Sequence, residues 1–107
     1  MSTGVQGGNI QSEWVAQVTL SPASVAANTS AEQAFTLVGV RPYHNINVNK
    51  PSTQAGLAVV SARAGTDQIF IAFGNFTASP IVPTASEVYN IAVMAPEANN
   101  PVTKLGF

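Results

Sequence analysis

The sequence predicts an all-β fold: a compact antiparallel β-sandwich, immunoglobulin-like or jelly-roll-like, of about six to eight strands. Two observations carry this expectation. Apolar side chains recur at every second position in segment after segment, the period of a strand with one buried face. Turn residues interrupt these segments at intervals of about ten positions, the spacing of short strands in a sandwich or barrel. A chain of 107 residues has room for one such core and no second domain. The expected domain covers residues 13–95, between a flexible N-terminal arm at 1–12 and a C-terminal tail at 96–107.

Residues 1–12 are rich in Gly, Ser, Gln and Asn and offer little to bury, hence the arm. Over residues 13–20, Trp14, Ala16, Val18 and Leu20 alternate with Val15, Gln17 and Thr19 until Ser21-Pro22 breaks the run. A second strand is expected over 33–40, with Phe35 and Leu37 on one face. Asn45-Ile46-Asn47-Val48-Asn49 alternates cleanly before Lys50-Pro51 stops it. Residues 56–62 read as a small-residue strand with Leu57 and Val59 on one face. Gly65-Thr66-Asp67 has turn chemistry and feeds residues 68–73, where Ile69, Ile71 and Phe73 point one way. Gly74-Asn75, Pro80 and Pro83 frame a loop. The last strand, 88–94, aligns Tyr89, Ile91 and Val93, and Pro96 ends it.

Two segments also match the capping box that opens helices: Thr29-Ser30-Ala31-Glu32 and Thr84-Ala85-Ser86-Glu87. After the second, the dominance of Tyr, Val and Ile argues for strand. Residues 23–32 read as either a single helical turn or a loop.

Composition narrows the function classes. Hydrophobic residues make up 46% of the chain and charged ones 8%, the reverse of a disordered segment. Net charge is −1, and the cations are Arg41, Lys50, Arg63 and Lys104, too few and too scattered for a phosphate-binding patch. The same scarcity argues against nucleic-acid partners and against a basic membrane-surface role. Cysteine is absent, which removes disulfides and thiolate metal sites. The first residues lack the charged and apolar regions of a signal peptide, and no apolar run approaches the length of a membrane span.

Catalytic chemistry finds little to work with, and the expectation is a non-enzyme without metal or cofactor. His44 is the only histidine and Asp67 the only aspartate, and no serine sits in a Gly-x-Ser-x-Gly setting. Paired-acid hydrolysis would need two of Glu13, Glu32, Asp67, Glu87 and Glu97 to meet in one cleft. Gly4, Gly7 and Gly8 have no strand before them or helix after them, so they read as arm and not as a phosphate cradle. Asn28-Thr29-Ser30 and Asn75-Phe76-Thr77 match the glycosylation sequon as chance occurrences, with Asn75 expected to close a turn.

Candidate partner contacts come from side chains that alternation or loop placement leaves outside. Phe70 is one, because Ile69, Ile71 and Phe73 claim the inward face and leave it with Gln68 and Ala72. Arg41, Tyr43 and His44 form a polar-aromatic loop of the residue types that enrich interfaces. Trp14 reads as core beside Val18 and Leu20, or as an exposed platform for a sugar. Phe107 closes the polar tail.

Several stretches in order resemble a family of small β-sandwich proteins that tailed bacteriophages encode as virion structural components. These are Leu20-Ser21-Pro22-Ala23-Ser24-Val25-Ala26-Ala27-Asn28, then Ala31-Glu32-Gln33-Ala34-Phe35-Thr36-Leu37-Val38-Gly39-Val40. Val48-Asn49-Lys50-Pro51, Gln54-Ala55-Gly56-Leu57 and Ala62-Arg63-Ala64 follow. Ile71-Ala72-Phe73-Gly74-Asn75-Phe76-Thr77-Ala78 completes the series, with Ile81 and Pro83 before Tyr89. The match covers about residues 18–95. It departs at Arg41-Pro42-Tyr43-His44-Asn45-Ile46-Asn47-Val48, where such proteins read Gly-Asp-x-Val.

The resemblance implies a capsid decoration, or cement, protein on the virion surface, made in the cytoplasm of a host bacterium. Its partners would be the major capsid protein and copies of itself, a homotrimer being the simplest fit to threefold lattice sites. A tail, fibre or head–tail connector component is the alternative within the same family. A carbohydrate-binding module is the alternative outside it, requiring exposed aromatics on one face.

Overall fold

The computed structural model describes residues 10–96. They form six strands: β1 (Ile10–Leu20), β2 (Thr29–Thr36), β3 (Asn45–Asn49), β4 (Leu57–Ala64), β5 (Gln68–Asn75) and β6 (Glu87–Pro96). Two three-stranded antiparallel sheets, ordered β1-β6-β3 and β2-β5-β4, face each other. The first strand pairs with the last and the second with the last but one, Val18 opposite Tyr89 and Gln33 opposite Ile71. That order is a jelly roll shortened to six strands, since an immunoglobulin sandwich instead separates its strands as ABED and CFG.

The central strands β5 and β6 supply the core. Ile69, Ile71 and Phe73 face Tyr89, Ile91 and Val93, all six essentially without solvent contact. Leu20, Val25, Val40 and Leu57 close the ends, and Trp14, Val18, Phe35, Leu37, Ile46, Val48, Val59 and Ile81 pack around the cluster half-buried. Each fully buried side chain of this size contributes roughly 1.5–3 kcal/mol, so the two central strands dominate stability. The edge strands β3 and β4 lie side by side in opposite sheets and leave a cleft of about 240 Å³ between Ile46–Val48 and residues 59–62. A bulge between Val59 and Ser61 twists β4 at this open margin, a common means of discouraging edge-to-edge pairing.

Five of the six strands differ from expectation in their limits: by one or two residues in β4, β5 and β6, so that Gly74 and Asn75 belong to β5 and not to a loop, and by more in β1 and β2. β1 begins at Ile10, with Ser12 opposite Ala95, because β6 continues past Met94 and gives the polar start of β1 a partner. β2 spans Thr29–Thr36 and not residues 33–40. The capping-box residues Thr29 to Glu32 are therefore strand, held opposite Asn75, Gly74, Phe73 and Ala72. Leu37 to Val40 turn away because Gly39 adopts φ +101° and its N–H donates to Asp67 Oδ1 at 2.9 Å. The second capping box also leads into strand, β6, as its β-branched content predicts.

The long crossovers are tied down by side-chain amides acting as backbone substitutes. Gln33 both accepts from Ala23 N–H (2.7 Å) and donates to Ala23 C=O (2.9 Å). Gln54 accepts from Thr84 N–H (2.8 Å) and donates to Val82 C=O (3.1 Å). Asn75 is fully buried at the end of β5; its Nδ2 donates to Val25 C=O (3.0 Å) and Ser79 C=O (2.8 Å). Its Oδ1 accepts from Thr77 N–H (2.9 Å) and Thr77 Oγ1 (2.7 Å), which closes the turn as the sequence suggests.

Candidate binding surfaces

The connections fall at two poles. Strand directions put the start of β1, the end of β6, the start of β3, loop 37–44 and hairpin 65–67 at one pole. Ile10 and Pro96 are register partners, so the first and last described residues meet at this pole. Loops 21–28, 50–56 and 76–86 gather at the other.

At the first pole Asp67 organises the loop. Its Oδ1 accepts from Gly39 N–H and from Arg41 Nη1 (2.7 Å), and its own N–H donates to Val40 C=O (2.8 Å). The Gly39 amide, and then the Arg41 guanidinium, hold the Asp67 carboxyl below its ordinary pKa. Asp67 itself takes φ +54°, a conformation that Asp tolerates at turns. His44 Nδ1 accepts from Arg41 N–H (3.1 Å), and Arg41 C=O accepts from the His44 backbone N–H (2.9 Å). Tyr43 packs edge-on against His44, centroids 4.9 Å apart at 79°, with 62% of its surface exposed.

Five of the six residues singled out by sequence thus lie toward this pole. Phe70 is among them because its Cε2 stands 2.8 Å from where a Cβ on Gly65 of hairpin 65–67 would be. Arg41, Tyr43 and His44 share the loop, and Trp14 lies beneath it, its Cζ2 4.0 Å from where a Cβ on Gly39 would be. Trp14 is half-buried against the core and is not a free platform. Phe70 does face outward, opposite Ala34 and Arg63, but Arg63 covers it: the guanidinium carbon stands 4.0 Å from the ring centroid. Phe107 lies outside the described residues.

Other exposed apolar side chains were not singled out by sequence: Val15, Val38, Val60, Phe76, Val82 and Val88. For Val15 and Val88 the signal was present, since each sits out of phase with a buried run. Phe76 had none, because its position depends on what lies beneath the ring.

The sheet surfaces are poor in charge. On β1-β6-β3 the outward residues are Asn45, Asn47 and Asn49, then Val88, Asn90, Ala92 and Met94, then Glu13, Val15, Gln17 and Thr19. Glu13 is the one charged residue among them. On β2-β5-β4 the outward charges are Glu32 and Arg63, which pair in a fork: Nε to Oε2 at 2.7 Å and Nη2 to Oε1 at 2.9 Å. The bonds from Arg63 hold the Glu32 carboxyl below its usual pKa and raise that of Arg63.

At the second pole Lys50 and Glu87 form a nearly enclosed pair, 9% and 14% exposed, with Nζ 3.0 Å from Oε1. Ser52 Oγ donates to the other carboxylate oxygen, and this bond, followed by Lys50, keeps Glu87 below its ordinary pKa. Among the described residues no three His, Asp or Glu side chains gather as metal ligands would. What the arrangement offers is a sandwich whose faces carry little charge and a pole where the start of β1 meets the end of β6. No family model, curated protein or solved structure matches this chain.

Proposed function

We propose that the chain is a non-enzymatic structural protein of a tailed-phage virion, a decoration protein that binds the outer shell and stabilises it. The sequence resemblance over residues 18–95 supplies the setting. The observation that carries the mechanism is the shared pole: Ile10 and Pro96 sit opposite each other beside exposed Tyr43 and Val38. The loop and the paired ends of β1 and β6 then face a lattice together, while the sandwich acts as a spacer. Neutral sheet faces suit a protein packed among copies of itself, because bringing such faces together buries few unpaired charges. A homotrimer over a threefold lattice site would bind through three poles at once, which multiplies a weak single contact.

The test mixes purified protein with undecorated phage shells and measures co-sedimentation and shell melting. Saturable association with a raised shell melting temperature, weakened by Tyr43→Ala, is the expected result. Absence of both association and melting shift ends the proposal. In intact particles, a labelled chain found only on the tail moves the assignment to a tail or connector component.

A further inference from the structure

We propose that the cleft beside Phe76 is a subsite for a neutral carbohydrate. The cleft measures about 370 Å³ at the second pole and is lined by Asn28, Thr29, Ser30, Asn75 and Phe76. Its volume falls at the lower end of the range for small-molecule sites.

Phe76 is built as a platform. β5 ends at Asn75, and the Phe76 ring folds back over Gly74: a Cβ there would lie 3.0 Å from Phe76 Cζ and 2.8 Å from Val60 Cγ1. Only glycine leaves room for the ring to lie beside Val60. The backbone is fixed from both sides, by the Phe76 N–H bond to Gly56 C=O (2.8 Å) and by the buried Asn75 amide. Even so, 67% of the Phe76 surface is open. An aromatic ring seated on a sheet and open to water is poor economy for a monomer, but it matches the apolar C–H face of a pyranose.

The rest of the cleft supplies hydroxyl and amide groups without charge. Within the described residues neither the Asn28 side chain nor the Ser30 hydroxyl is used in a hydrogen bond, and Thr29 Oγ1 makes one long contact to Ser30 C=O at 3.5 Å. Asn28 holds φ +52°, with its N–H bonded to Thr77 C=O (3.0 Å), so its position is set by backbone. Free donors and acceptors beside an open ring suit sugar hydroxyls. A phosphate or carboxylate ligand would want a cation, and none lines the cleft.

This site is at the opposite pole from the proposed shell contact, so its test is independent of that reading. The full-length protein is titrated by calorimetry with maltoheptaose, cellohexaose and chitohexaose. Saturable binding of at least one is expected, insensitive to salt between low and high ionic strength. Phe76→Ala should weaken that binding about tenfold or more, while Phe76→Trp keeps or improves it. Gly74→Val, which displaces the ring, should act like Phe76→Ala; a circular dichroism spectrum and melt confirm that each variant is folded. No binding of any of the three sugars at millimolar concentration overturns the proposal. Binding that Phe76→Ala leaves unchanged also overturns it, as does a Phe76→Ala variant whose sole defect is loss of self-association.

Discussion

Arg63 sits over Phe70, guanidinium carbon 4.0 Å from the ring centroid, while its nitrogens fork the carboxylate of Glu32 two strands away. One side chain therefore shields an outward aromatic on β5 and clamps β4 to β2 across it. The stacking needs a planar cation and the fork needs two parallel donors, so lysine cannot replace it.

Phe70→Ala is expected to cost about 1–2 kcal/mol in denaturant unfolding, the share of a half-buried ring. Arg63→Ala should destabilise less, since the pair is solvent-exposed. Arg63→Lys should resemble Arg63→Ala. A double-mutant cycle on Arg63 and Phe70 should return a coupling energy above zero; strict additivity would show that the stacking contributes nothing.

Asn75→Ala should be among the most damaging polar substitutions, by about 2–4 kcal/mol, because it strips hydrogen-bond partners from Val25 C=O, Ser79 C=O and Thr77. Asn75→Asp should be at least as damaging, since a carboxylate would face two carbonyls. Thermal melts of both variants check this. Expressed in a glycosylating host, Asn28 is open to modification and Asn75 is not, which peptide mass mapping reads directly.

Tyr89 is fully buried and its hydroxyl has no hydrogen-bond partner. Tyr89→Phe should therefore leave stability unchanged or raise it by about 1 kcal/mol. Burial, and then the Glu87 charge, pushes the phenol up to about 12 from 10.0. A raised value means that the folded state keeps its proton longer. The associated stability is whole below pH 10 and is lost as pH rises from about 10 toward 12. Unfolding in that window should be steeper with pH for the wild type than for Tyr89→Phe.

Acid should act through three carboxylates. Glu32, Asp67 and Glu87 are all held below their ordinary values by hydrogen bonds and cations. Lowered values place their stabilisation above the unfolded-state range, so it is complete above about pH 4.5 and declines as pH falls further. Melting temperature measured from pH 6 to pH 2 should fall along that limb. Asp67→Asn should flatten the limb.

Much of this architecture was legible locally. Asn45–Asn49 alternates without interruption and is a strand with those limits. The inward sets Ile69, Ile71, Phe73 and Tyr89, Ile91, Val93 follow from period two alone. The shift of β2 was not legible, because Leu37 to Val40 continue an apolar run and are turned by Asp67, 28 positions from Gly39. The grouping of Trp14 with Arg41, Tyr43 and His44 was likewise hidden until β1 and β6 were paired. Phe70 was placed on its face correctly, but its cover could not be foreseen: Arg63 comes within reach only through the β4–β5 register. Phe76 depended on a glycine and on a bulge in the neighbouring strand, features that leave no periodic trace.

The nesting of first strand with last has a kinetic consequence. Only the β4–β5 hairpin closes a short loop; joining β2 to β5 spans β3 and β4, and zipping β1 onto β6 must span nearly the whole domain. Chain entropy lost at each closure is offset only once the next layer docks and buries apolar surface, which makes the route slow for a polypeptide this small, on the order of milliseconds to seconds. Until that final zipper forms, β6 exposes a bare margin at which a newly made chain is most open to pairing with its neighbour.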